Sequence, residues 1–223
     1  MIDAYRSYFR NTFRIIKSHL FLLLFPSVLV TGIYVYRIEV SSHQPFVFWI
    51  FSFAFLIVFP LIYGQFTEVI LNGKITSWRT VFNKYWIRFI AASVLVKMPT
   101  ILCIILFPQV DEIKNAVSFV TQISTIYIYP LVFLKREIIA SIITGVKCLI
   151  GNFKFSFPLV TISVVSYILL EFDFTFSNFI ESRVFGYFPF FLSVVVAVFI
   201  DLFIFIVASS ILIEKLSIGR NSE

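Results

Sequence analysis

Lysine and arginine concentrate in every second gap between long apolar runs, and this alternation constrains how the chain can fold. A membrane-spanning helix needs about 20 consecutive apolar residues. Six runs of roughly that length or longer cover residues 19–36, 46–71, 87–107, 116–134, 155–172 and 184–213. Arg6, Arg10, Arg14 and Lys17 precede the first run, and Lys74, Arg79, Lys84 and Arg88 follow the second. Lys135, Arg136, Lys147 and Lys154 follow the fourth, and Lys215 and Arg220 follow the sixth. The other set of gaps holds Arg37, Lys114 and Arg183, while Lys97 lies inside the third run. Cytoplasmic loops carry the Lys/Arg excess. Six crossings with both termini cytoplasmic are predicted.

Composition agrees with this reading. Charged residues make up 13% of the 223 residues and hydrophobic ones 60%, where a soluble domain carries about 25% charged. Half that share cannot clothe a water-facing surface, so lipid must cover much of the protein. The net charge of +6 follows from topology and points to anionic lipid. No nucleic-acid motif accompanies it. Cys103 falls in a span and Cys148 on a cytoplasmic helix, too far apart for the alpha-carbon spacing of about 7 Å that a disulfide allows. The basic start followed by an apolar run resembles a signal peptide. The run is as long as a span and lacks a small-x-small cleavage site, so it is expected to stay as the first span.

One design recurs: a basic amphipathic helix runs into a span. RIIKSHLF from Arg14, VFNKYWIRF from Val81 and CLIGNFKF from Cys148 align, with His19, Tyr85 and Asn152 in register at offsets of 66 and 67 residues. In the first helix Ile2, Tyr5, Phe9, Phe13 and Ile16 share one face, beside Arg6, Arg10, Arg14 and Lys17. In the second, Trp78, Val81, Phe82 and Tyr85 oppose Arg79, Asn83 and Lys84. In the third, Ile138, Ile139, Ile142, Ile143, Val146, Leu149 and Ile150 oppose Ser141, Thr144 and Lys147. Such helices lie in the headgroup plane of an anionic leaflet. The expectation is an all-α polytopic membrane protein of six transmembrane helices in three hairpins, each preceded by an amphipathic interfacial helix. It forms one integral membrane domain with repeats 1–72, 73–134 and 135–213 and a short cytoplasmic tail, 214–223. Arg6, Arg10, Arg14, Lys17, Arg79, Lys84, Lys147 and Lys154 are its lipid-headgroup or partner contacts.

Polar residues inside the spans are the candidate site. Lys97 is ten residues from the inner end of its span and Asp201 twelve, which at 1.5 Å per residue puts them about 15 and 18 Å deep. An unpaired charge there costs roughly 3 kcal/mol, so an ion pair is expected, either structural or serving as a relay or counter-charge. Ser118, Gln122 and Thr125 share a face of the fourth span, as interhelical hydrogen bonds or as a polar path. Glu68 is expected to pair with a nearby basic residue such as Lys74 or Arg88. His19 and His43 are isolated, so no metal site is expected. No GxSxG, HExxH or P-loop is present, no catalytic residues are assigned, and no cofactor is implied.

FPLIYGQF at 59–66, IYPLVFLKREIIASIITGVKCLIGNF at 128–153 and the amphipathic segments together carry a resemblance. The chain resembles bacterial six-span membrane proteins similar to the membrane domain that accompanies some glycerophosphodiester phosphodiesterases. The soluble phosphodiesterase domain has no counterpart here, so the resemblance implies a membrane frame and no activity. Expected functions are a non-enzymatic scaffold or accessory subunit binding lipid or a protein partner, or a small transporter or permease subunit using Lys97 and Asp201. An intramembrane enzyme has no residue constellation to support it.

Overall fold

The computed structural model describes residues 2–40, 45–107, 109–135, 137–153, 156–165 and 188–220. Among these the chain is helical with no strand. The helices are α1 (Ile2–Ser18), α2 (Leu20–Val40), α3 (Pro45–Asn72), α4 (Trp78–Leu106), α5 (Asp111–Leu134), α6 (Ile138–Gly151), α7 (Ser156–Val165) and α8 (Phe188–Arg220). The turn holding His43, the stretch 173–183 and Lys154 lie outside the described residues.

Three helices, Trp78–Leu106, Glu112–Leu134 and Phe191–Lys215, are long and apolar enough to cross a membrane. Five crossings result if each of two bent pairs counts as one: Tyr5–Ser18 with Leu20–Ile33, bent by 75°, and Ile138–Gly151 with Ser156–Val165, bent by 102°. On α4, Val94, Leu95, Met98, Ile101, Leu102, Ile104, Ile105 and Leu106 are exposed apolar side chains. A continuous apolar surface of this kind needs a non-aqueous neighbour.

The first and third predicted interfacial helices are separate elements, but the second is not. α1 stops at Ser18, whose hydroxyl turns back onto the Arg14 carbonyl at 2.9 Å. Such back-bonding competes with the helical ladder. α6 stops at Gly151 and Asn152. The aligned residues of the middle unit, Tyr85, Trp86 and Ile87, contain no breaker, and α4 runs through them as one helix from Trp78.

The faces differ from expectation too. α6 turns Ser141, Gly145 and Leu149 inward and leaves Ile139, Ile143 and Ile150 exposed. Ser141, predicted to face away from the apolar side, is fully buried, its hydroxyl donating to Glu137 O at 2.6 Å and facing Leu131 O at 3.3 Å. The small residues at 141 and 145 let two helix backbones approach closely, which outweighs the larger apolar face as a packing surface. On α1, Phe9 lies 5.0 Å and Phe13 5.2 Å from the ring of Phe203 on α8. Its apolar face is thus spent in part on protein.

An aromatic core joins α3, α4, α5 and α8. Tyr63 on α3 sits at its middle, with ring centres 4.6 Å from Phe205, 5.9 Å from Phe89, 6.0 Å from Phe133 and 6.4 Å from Tyr129. The α3–α4 turn is firmly built. Gly73 takes φ +71° after the last turn of α3, a left-handed conformation that glycine adopts without steric cost. The buried Gln65 amide then clasps Thr76, donating to its carbonyl at 2.7 Å and accepting its N–H at 3.1 Å. Ser77 caps α4 by accepting the Thr80 N–H at 3.3 Å. This turn fixes the register that places Tyr63 against α5 and α8.

Candidate functional site

Asp201 is the one exposed residue at the head of a buried run: Leu202 through Ser209 on α8 are all buried. Asp201 opens onto a cleft that it lines with Tyr63, Gln122, Thr125, Tyr129 and Ser163, with Ile126, Pro130, Ile204 and Phe205 as apolar walls. Four helices contribute these groups. α3 brings Tyr63, α5 brings Gln122, Thr125 and Tyr129, α7 brings Ser163 and α8 brings Asp201. The Tyr63 hydroxyl donates to Asp201 Oδ2. This is a charge-assisted hydrogen bond of the strong kind, held by a ring that five aromatic neighbours immobilise.

The expected Lys97–Asp201 ion pair is not formed. Lys97 is exposed on α4, and Asp201 takes its hydrogen bond from Tyr63 instead. Equal depth was necessary for the pair but not sufficient, because α4 and α8 are not packing partners while α3 and α8 are. Of the α5 stripe, Gln122 and Thr125 line the cleft and half-buried Ser118 does not. The Thr125 hydroxyl donates to the Gln122 carbonyl at 2.6 Å. Its remaining lone pairs are left as acceptors. The Gln122 side-chain amide and the Ser163 hydroxyl have no hydrogen-bond partner among the described residues. Tyr63, Tyr129 and Ser163 belong to the cleft without having been singled out in the sequence. Tyr63 lies in the FPLIYGQF segment, three residues after Pro60, and that position was the available signal.

A second polar cluster lies where α3 meets α4. Glu68 accepts from Lys84 Nζ at 2.6 Å, from the Tyr85 hydroxyl at 2.7 Å and from Asn72 Nδ2 at 2.6 Å. The partner is neither Lys74 nor Arg88. Lys84 is therefore engaged with Glu68 and is not a free headgroup contact.

The remaining basic residues assigned to headgroups are exposed where they are described. Arg6, Arg10, Arg14 and Lys17 are all exposed on α1, while Tyr5, Thr12 and Ile16 on its other side are buried. Arg79 and Lys147 are exposed. Tyr8 on α1 donates to Glu214 near the end of α8, and burial together with that carboxylate pushes its phenol up to about 12. It stays neutral at physiological pH and holds the two ends of the chain together. Among the described residues no cluster of His, Cys, Asp and Glu could hold a metal ion. Comparison brings no relative to bear on either polar cluster: no protein-family model, curated protein or solved structure matches the chain.

Proposed function

We propose that the chain is a six-span protein of a bacterial cell membrane, non-enzymatic, whose cytoplasmic face is anchored on anionic lipid headgroups as a scaffold or accessory subunit. The carrying observation is the two-sidedness of α1. Its four cations face outward, while its other side is fixed against α8 through Phe9, Phe13 and Tyr8. A rigidly mounted row of cations differs from a loose basic tail, because less ordering is needed to engage a charged surface. Each basic residue near an anionic leaflet contributes about 1 kcal/mol, so the row supplies about 4 kcal/mol at low salt. What supports six crossings over five is parity. The contact of Tyr8 near the start of α1 with Glu214 near the end of α8 favours both on one side and so an even number of crossings. Adding α3, at 28 residues, to the five crossings counted above gives six.

The test is thermal unfolding of the purified protein in nanodiscs with and without anionic phosphatidylglycerol. The wild type gains stability from the anionic lipid, and the quadruple change Arg6→Gln, Arg10→Gln, Arg14→Gln, Lys17→Gln removes most of that gain. An undiminished gain in the variant would sink the lipid reading and leave a protein partner as the occupant of this face. The Asp201 cleft favours a second reading, a small transporter or permease subunit. In that reading Asp201 acts with Tyr63 and not with Lys97.

A further inference from the structure

We infer that the cleft at Asp201 is a binding site for one small hard monovalent cation, sodium or a proton carried on the carboxylate. The inference deepens the transporter reading but rests on the cleft alone. Size sets the first limit. The free volume is about 30 Å³, and one water needs roughly 10–15 Å³ on this measure. Two or three water-sized groups fit, and an organic substrate does not.

Ligand chemistry sets the second. The groups that converge are oxygens: the Asp201 carboxylate, the Tyr63 hydroxyl, the Thr125 hydroxyl whose proton is spent on the Gln122 carbonyl, the Gln122 side-chain oxygen and the Ser163 hydroxyl. Oxygen donors select hard cations over soft ones. Charge sets the third. The cleft holds one carboxylate and no cationic side chain, with apolar walls. A single positive charge neutralises it, while a divalent ion would leave net charge in an apolar setting at high cost.

Two further features point to an occupant. Gln122 presents a polar amide to the cleft with no protein partner among the described residues, and Ser163, 4% exposed, presents an equally unpartnered hydroxyl. Neither atom is closed off, since among the described residues the fully buried side-chain polar atoms without a partner are Thr12 Oγ1 and Ser209 Oγ, so both groups can meet what enters the cleft. Tyr63 donates one hydrogen bond to Oδ2, which leaves the rest of the carboxylate's acceptor capacity facing the cleft. Asp201, Tyr63 and Tyr129 are the titratable groups lining it, and Lys97 is not among its lining residues.

The experiment uses the full chain in neutral-lipid nanodiscs, with the unfolding midpoint followed against sodium chloride at ionic strength held constant with choline chloride. In the sodium arm the midpoint rises saturably with sodium and not with choline. Gln122→Leu and Thr125→Val each shift the half-saturating concentration up by about tenfold, the size expected for one lost ligand to a charge. Asp201→Asn removes the response. In the proton arm sodium has no effect. An infrared carboxylic-acid band then appears on acidification in the wild type, is absent in Asp201→Asn and is displaced in Tyr63→Phe. If Asp201→Asn fails to fold, Gln122→Leu and Ser163→Ala carry the sodium arm and Tyr63→Phe the other. The inference is overturned by absence of both responses, or by a sodium response that persists unchanged in Asp201→Asn or in Gln122→Leu. Binding without sodium or proton flux in proteoliposomes would keep the site and remove the transporter reading.

Discussion

Glu68 shows how a single carboxylate stabilises a junction between two helices. Its side chain is 6% exposed and takes donors from its own helix and from α4, whereas Lys84 is 43% exposed. The two partners of the ion pair therefore differ in what their loss would cost. Lys84→Met removes a half-exposed charge whose pairing is screened by solvent, and the expected cost is below about 1 kcal/mol. Glu68→Leu strands the Tyr85 hydroxyl, on a residue only 1% exposed, and the expected cost is about 2–3 kcal/mol. Adding Tyr85→Phe to Glu68→Leu recovers much of it, because no buried hydroxyl then lacks a partner. Unfolding midpoints of the three variants in one detergent check this, and equal costs for Lys84→Met and Glu68→Leu would refute it. At this scale the sequence was only partly legible. Depth could be estimated for Lys97 and Asp201, but rotation about a helix axis could not. Rotation decides that Asp201 meets Tyr63 and that Glu68 meets Lys84 rather than Arg88, one turn further along α4.

Elements were easier to read than the faces they present. Apolar runs and flanking charges locate α2, α3, α4 and α5 to within a few residues, apart from the missing break between the middle interfacial segment and its span. The orientation of α6 was not legible, because its isoleucines outnumber its small residues and hydrophobic periodicity weights them more. Close backbone approach decided it instead. A β-carbon placed on Gly145 would lie 2.9 Å from both the backbone nitrogen and the alpha carbon of Ile128 on α5. Backbone atoms cannot swing aside as a side chain can. Gly145→Ala is therefore expected to push α6 off α5 and destabilise by about 1–3 kcal/mol. Gly32, inside α2, has nothing within 4 Å of its β-carbon position. Gly32→Ala should be neutral or stabilise by up to about 1 kcal/mol, since alanine is the better helix former. Thermal unfolding of the two variants side by side tests the contrast, and a Gly145→Ala protein as stable as the wild type would contradict the α5–α6 contact.

For the whole molecule, charge distribution and tertiary contact argue independently for an even number of crossings. Fourteen of the eighteen Lys and Arg residues lie on the proposed cytoplasmic side, a bias that acts while the chain is being inserted. The Tyr8–Glu214 hydrogen bond acts in the finished fold and draws both ends to one face. Nothing in the insertion signal requires the second, so their agreement carries weight for an even number of crossings. Single cysteines in a background with Cys103 and Cys148 replaced by alanine resolve the point. Arg79 is exposed at the start of α4, so Arg79→Cys should react with a membrane-impermeant maleimide only after the cells are permeabilised. His43→Cys, in the turn between the first two predicted spans, should react from outside in intact cells. An added cysteine after Glu223 should behave like position 79. Labelling of positions 43 and 79 from the same side would remove the crossing by α3 and with it the sixth crossing. Labelling of position 79 and the carboxyl end from outside, with position 43 inside, would keep six crossings but reverse the orientation, and the basic row on α1 would then face away from the cytoplasmic leaflet's anionic lipid.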